Sequence, residues 1–243
     1  MRKFLSVFLL TVAVLMPSMS RANDLLNDTS DPLFMLQIEG ILSQTSLTYW
    51  DHILRGGQSV SYGMNNRLSV GANVHFQNDF NGSEDGFSAI DLGAVYRLAN
   101  ADDNDARIIS DVLFGFKFGG SSRVRTPDYA DSTYYAGLRF GRQWAGMTLS
   151  ATIKSTWVFD DTRGVAFLDF MPEAYFRTAP DWRVGFGMTI RKATHKIDNV
   201  DFDQEWLHAK LVRQYGRTQY VGHMDFEFES DDVQIGGRIN ILF

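Results

Sequence analysis

From about residue 60 to its last position the chain alternates apolar and polar side chains. Leu68, Val70, Ala72, Val74 and Phe76 interleave with Ser69, Gly71, Asn73 and His75. Val112, Phe114, Phe116 and Phe118 interleave with Leu113, Gly115 and Lys117, and Trp182, Val184, Phe186, Met188 and Ile190 with Arg183, Gly185, Gly187, Thr189 and Arg191. Successive side chains on a strand point to opposite faces, so this period of two predicts strands with one apolar and one polar face. The spacing predicts about twelve of them (10–14 are compatible), over 35–45, 58–64, 67–77, 87–99, 107–118, 133–143, 147–158, 165–177, 182–192, 205–214, 219–229 and 233–243. Pro172 falls inside the eighth and predicts a bulge or local break there.

The polar faces are unlike those of a water-soluble sandwich. They carry Gly, Ser, Thr and Asn with single charges spaced along them, which suits a wet, confined lumen. Tyr96, Tyr134, Trp144, Trp157, Trp182, Trp206, Tyr215 and Tyr220 fall near predicted strand ends, where the aromatic girdles of a membrane barrel lie. In lipid every backbone polar group must be paired, so spanning strands must close on themselves. The connections have two characters. Those after even-numbered strands are short, such as Asn65-Asn66, "WAG", "APD" and "YGR", while most after odd-numbered strands are longer and acidic. The fold class predicted is all-β: a closed antiparallel transmembrane barrel with short inner turns, longer outer loops and both ends of the chain on the inner side.

The first 22 residues change the picture in one respect. Arg2 and Lys3 precede an apolar core of 13 residues, Phe4 to Met16, and Ser20-Arg21-Ala22 is a small-x-small cleavage site. Thirteen residues are too few for a spanning helix, which needs about 20, so 1–22 reads as a signal peptide and 23–243 as one barrel domain. The 243-residue chain has no Cys, and therefore no disulfide and no lipidated cysteine. Without Arg2, Lys3 and Arg21 it keeps 20 basic against 29 acidic side chains, a formal charge of −9, which argues against nucleic acid as a partner. The expected location is the Gram-negative outer membrane, with lipid and lipopolysaccharide around the barrel.

Candidate chemistry sits on the polar faces. Strands five to nine present a basic set, Lys117, Arg139, Lys154, Arg177, Arg183 and Arg191. Strand eleven presents an acidic ladder, Asp225, Glu227 and Glu229, beside His223, and strand twelve adds Arg238. Opposite charges on separate wall sectors would set a field across the lumen and orient a polar solute. Twelve strands lie between small barrels filled by side chains and wide porins, so passage or binding of a small aromatic or anionic solute is the expectation, with no cofactor and no metal. The alternatives are a closed structural barrel whose charges pair across strands and an outer-membrane lipid hydrolase. No His has a Ser two positions on, as barrel lipid hydrolases require. His75 and His195 are candidate bases, and Asp160, Asp161, Asp201 and Asp203 candidate rim carboxylates, but no nucleophile accompanies them.

Two resemblances add to this reading. Phe243, Ile241 and Ile239 resemble the terminal strand of outer-membrane barrels, which implies recognition by the barrel-assembly machinery. Residues 61–120 carry Tyr62, Gly63, Arg67, Leu68 and Gly71, then Asp91, Leu92, Gly93, Tyr96, Arg97 and Leu98, then a glycine-rich strand. This order resembles the Gram-negative outer-membrane proteins linked to meta-pathway degradation of phenols. The resemblance implies movement or binding of small, often aromatic, compounds, and no catalytic residues.

Overall fold

A computed structural model describes residues 28–81, 85–103, 107–119, 132–159, 166–194 and 203–243. Twelve strands run in chain order: β1 (Ile41–Trp50), β2 (Ile53–Asn65), β3 (Leu68–Asp79), β4 (Gly86–Ala99), β5 (Ile109–Gly119), β6 (Thr133–Trp144), β7 (Met147–Val158), β8 (Ala166–Arg177), β9 (Trp182–Ala193), β10 (Gln204–Tyr215), β11 (Thr218–Glu227) and β12 (Val233–Leu242). Each pairs antiparallel with its sequence neighbours, and β1 pairs with β12, so the sheet is a closed ring. At the seam the Phe243 amide donates to the Ile41 carbonyl at 2.8 Å. Closure leaves no edge strand, which is the condition for a sheet to stand in hydrocarbon. Among the described residues one short 3₁₀ turn, Ala101–Asp103, interrupts the pattern, and no helix is long and apolar enough to cross a membrane.

The apolar faces point outward. Leu138 is 53% exposed, Phe186 52% and Leu211 50%, and Ile235, Ile239 and Ile241 continue the band around β12. Apolar area on that scale fits a bilayer and not water. Buried apolar residues form only small clusters, such as Tyr175, Val212 and Val221, rather than one core. At the inner end Arg142 and Arg213 lie over the rings of Trp144 and Trp182, at 5.2 and 5.3 Å. Cations stacked on interfacial Trp in this way reach toward headgroups while their stems stay in the apolar band. Near the outer end Tyr134 stacks on Trp157 at 4.9 Å. Trp206 departs from the predicted girdle: in β10 the exposed Leu207 and Leu211 occupy the alternate positions, which turns Trp206 to the bore.

Ten of the twelve strands match the predicted spans closely, and the first two do not. Residues 35–40, predicted as part of a strand, belong to a segment that leaves the bore beside the end of β2, and β1 begins at Ile41. The predicted loop between the first two strands is instead the body of a hairpin. Its turn is Asp51-His52, with φ of 32° and 71°. A two-residue hairpin turn needs positive φ at both positions. Asp and His tolerate that region better than most non-glycine residues, and here they stand where Asn-Gly would have been a recognisable signal. Pro172 produces a break and not a bulge. The β8–β9 pairing stops at Phe170↔Ile190 and resumes at Glu173↔Gly187 without a change of register.

The fold predicts a sharp difference between the two faces. Leu138→Arg, near the middle of β6 on the lipid side, is expected to cost about 2–4 kcal/mol in urea unfolding from vesicles, while an arginine at inward-facing Thr152 has a much smaller effect.

Candidate functional site

The inner end of the bore is occupied by the chain's own N-terminal segment, residues 28–40, and its first four residues are buried. Asp28 sits on β8, β9 and β11. Its Oδ2 accepts from Arg183 Nε at 2.9 Å, and its Oδ1 accepts from Tyr175 Oη at 2.9 Å and Gln219 Nε2 at 2.8 Å. Gln219 Oε1 in turn accepts from Thr29 Oγ1 at 2.6 Å and Ser30 Oγ at 2.8 Å, and Asn240 Nδ2 donates to Thr29 Oγ1 at 2.9 Å. Lys210 Nζ donates to the Ser30 carbonyl at 2.9 Å. Thr148 Oγ1 donates to Asp31 Oδ2 at 2.5 Å, and Arg97 Nη2 donates to the Leu33 carbonyl at 2.7 Å. Burial raises the Asp31 carboxyl above its ordinary range, opposed by the hydrogen bonds from Thr148 and the Leu33 amide. Leu33 and Leu36 are also buried. The segment leaves the bore along β2, where a Cβ on Gly63 would lie 1.9 Å from the Gln37 carbonyl oxygen, so only glycine permits that approach. Sequence reasoning leaves open whether "NDLLNDTSDP" folds inward, because the stretch has no periodicity to mark it as a packed element.

Above the segment, two aspartates each hold cations from both neighbouring strands. Asp111 on β5 stands in register with Arg97 on β4 and Arg139 on β6. It accepts from Arg97 Nε at 2.8 Å and Arg139 Nε at 2.9 Å, and is itself 0% exposed. Asp169 on β8 repeats the arrangement, in register with Lys154 and Arg191. It pairs with Arg191 Nε at 2.7 Å and Lys154 Nζ at 3.2 Å. Of the predicted basic sector, Arg139, Lys154 and Arg191 therefore belong to two cross-strand triads, each with two cations on one carboxylate and a net positive charge, and Arg183 is held by Asp28. Asp111 and Asp169 were missing from the candidate set. Strand register is the signal that finds them, since residues directly opposite on neighbouring strands have the shortest side-chain separation.

The remaining predicted lumen residues divide in three ways. Lys117 lies in register with Asp91, whose Oδ2 is 2.9 Å from His75 Nε2, so this candidate base is half of an ordinary His–Asp contact. Arg177 ends β8 in register with Arg183 at the turn end. The acidic ladder is dispersed. Asp225 Oδ1 is 2.8 Å from His208 Nδ1 and Asp225 Oδ2 is 3.8 Å from His223 Nε2. Glu227 is buried and accepts from Ser230 Oγ, and Glu229 lies in the β11–β12 turn, exposed and off the strand. Glu229 is thus a correction: β11 ends at Glu227, where the turn begins. Of the candidate rim groups, Asp203 binds Lys192 Nζ at 2.9 Å, while Asp160, Asp161, His195 and Asp201 lie outside the described residues, as does the predicted signal peptide.

Against the wall formed by β10 to β12 and β1 to β3 the bore opens into a cavity of about 330 Å³. Gln44, Ser46, Ser59 and Asn73 line one side, and Lys210, Val221, His223 and Arg238 the other. Arg238 faces neutral residues in register, Ser46 and Val221. It makes no ion pair or hydrogen bond among the described residues, and its Nε is a buried donor without a partner. Lys210, by contrast, pairs with Glu173 and lies 4.8 Å from the Tyr175 ring centroid. Across the bore Tyr135 lies flat over β4 and β5, where a Cβ at Gly93 or Gly115 would be 2.6 Å from its hydroxyl. The cavity is one-sided, with seven polar residues among its eight, and Lys210 on its wall reaches the N-terminal segment. Among the described residues no cluster of His, Asp and Glu is arranged to hold a metal ion.

No family model matches the sequence, and no curated protein matches it. Solved structures do. The NanC porin aligns with a TM-score of 0.62 at 10% identity, over 84% of this chain and 98% of its own. The COG4313 outer membrane channel from Pseudomonas putida F1 gives 0.61 at 10% identity over 86% and 97%, and the KdgM porin 0.58 at 13% over 82% and 98%. The shared fold and the apolar outer band make this chain a closed β-barrel of the outer-membrane kind. Its resemblance to the phenol-pathway proteins remains one over residues 61–120.

The triads yield a stability prediction. Asp111→Asn leaves two guanidinium groups without their carboxylate and is expected to destabilise the barrel by about 3–5 kcal/mol. The measurement is the midpoint shift in urea unfolding of the reconstituted protein.

Proposed function

We propose that the barrel passes a small hydrophilic anion across the outer membrane, and that Arg238 is the cation the solute meets in the central cavity. One observation carries this reading: Arg238 lines the cavity with no carboxylate in contact, Glu173 acting on it only from a distance, while Arg97, Arg139, Lys154, Arg183, Arg191 and Lys210 each hold a carboxylate directly. An unpaired, partly desolvated guanidinium is unfavourable until an anion joins it, and a carboxylate can do so with two parallel hydrogen bonds. The amide and hydroxyl groups opposite suit a polyhydroxylated body. The net charge of the triads favours anions along the rest of the bore.

The comparisons support the same direction. The KdgM porin has been solved in complex with disordered oligogalacturonate, a chain of sugar carboxylates. A phenolic solute fits less well, because Val221 is the one apolar residue among the eight that line the cavity. A closed structural barrel is the second reading, and the segment across the inner end favours it. Planar-bilayer recording separates the two. The expectation is a small, anion-preferring conductance whose preference falls in Arg238→Gln, and a silent bilayer would leave the structural barrel standing.

The terminal strand is assigned a role in biogenesis. Phe243 closes the seam with Ile41, and Ile239 and Ile241 face lipid beside it, as the assembly machinery's recognition of such strands would require. Deleting Phe243 is expected to lower the amount of folded, heat-modifiable protein in outer-membrane fractions.

A further inference from the structure

The contact that anchors the N-terminal segment has the form of a ligand complex. A carboxylate rests on an arginine, a tyrosine hydroxyl and a side-chain amide, all donating to it, and the arginine is 1% exposed. Here the carboxylate belongs to Asp28. We propose that Arg183, Tyr175 and Gln219 form a second carboxylate-binding site that Asp28 fills in the resting barrel, and that the carboxylate of a passing solute takes it over as the segment withdraws. This rests on the reading of the barrel as an anion pathway, and adds to it a site and a means of opening.

Three features of the cradle support the exchange. Asp28 engages the Arg183 side chain through Nε alone, and Nη2 is buried with no hydrogen-bond partner. A carboxylate free of backbone constraint can take Nε and Nη2 together, the preferred two-pronged geometry for guanidinium. The cradle therefore suits a diffusing carboxylate better than the tethered one. Second, Arg183 cannot be vacated without replacement, because a buried guanidinium without its partner is strongly unfavourable. Withdrawal of the segment is thereby tied to arrival of an anion. Third, the sites are in series. Lys210 lines the cavity that Arg238 enters and also holds the Ser30 carbonyl, two residues from Asp28. A solute in the cavity meets Lys210, which holds the segment to be displaced. Because the solute binds only the cradle that Asp28 has left, it shifts the barrel toward the open state by mass action.

Purified full-length protein in planar bilayers tests this, with D-glucuronate as the probe and D-glucose as its uncharged control. Glucuronate is expected to raise the open fraction of wild type several-fold, and glucose to leave it unchanged. Asp28→Asn, similar in size without the charge, is expected to conduct several-fold more than wild type before any probe is added, and to lose the glucuronate response. Equal conductance of Asp28→Asn and wild type, or equal response to the two sugars, would overturn the proposal. Arg238→Gln separates this proposal from the passage reading. It should lower anion preference and keep glucuronate-induced opening. If it abolishes opening while Asp28→Asn retains it, the probe acts at Arg238 and the Arg183 cradle is not its site. If anion preference does not change while opening persists, the passage role of Arg238 fails by itself. Should Asp28→Asn fail to assemble, the pair Asp31→Cys and Thr148→Cys tethers the segment where the native side chains meet at 2.5 Å. The oxidised protein must then ignore glucuronate and the reduced protein must respond to it, and any response from the oxidised form counts against the proposal.

Discussion

Backbone hydrogen bonding in a medium without water is the constraint on which this structure depends. A strand in hydrocarbon has no solvent to satisfy its amides and carbonyls, so the sheet must return to its own beginning. The β1–β12 ladder makes that return, from Leu42↔Leu242 to Tyr49↔Ile235. Once the ring is closed, the pleat assigns every other side chain to lipid and the rest to the bore. The apolar exterior and the polar interior are two results of one pairing rule, and neither needs a hydrophobic core of the ordinary kind.

The interior then has its own electrostatic problem. Charges placed in a narrow, partly dry bore have to be paired, and the register solves this locally by setting one aspartate between two cations. Asp111 and Asp169 do so on β5 and β8, and Asp28 does it for Arg183 from outside the sheet. What remains unpaired is then informative. Arg238 stands among neutral neighbours beside a cavity, and the functional reading grows from that exception. A wall with every cation neutralised would have offered no reason to prefer a solute of either sign.

Legibility in the sequence followed the period of two. The strands with unbroken alternation, from β3 onward, were readable with their faces, and so was the interruption at Pro172. β1 and β2 were not, because Leu36 and Ile38 mimic the apolar half of a strand while they lie on the segment that enters the bore, and because Asp51-His52 turns the chain without Gly, Asn or Pro. The lumen was legible as a list of charges and illegible as a site. Which cation meets which carboxylate depends on register between strands, a relation that alternation within a strand does not contain. Arg139 and Arg238 look equivalent along the chain, and only their cross-strand neighbours, Asp111 in one case and Ser46 in the other, tell them apart.

The partners of the N-terminal segment are spread along the barrel, from Gly63 on β2 to Asn240 on β12. Asn240 and Gln219 stand on β12 and β11, so the seat for Thr29 and Ser30 is whole only when β12 has taken its place beside β11. A ring missing that last ladder would hold its stopper less firmly, which ties the tightness of the inner mouth to the completeness of the wall.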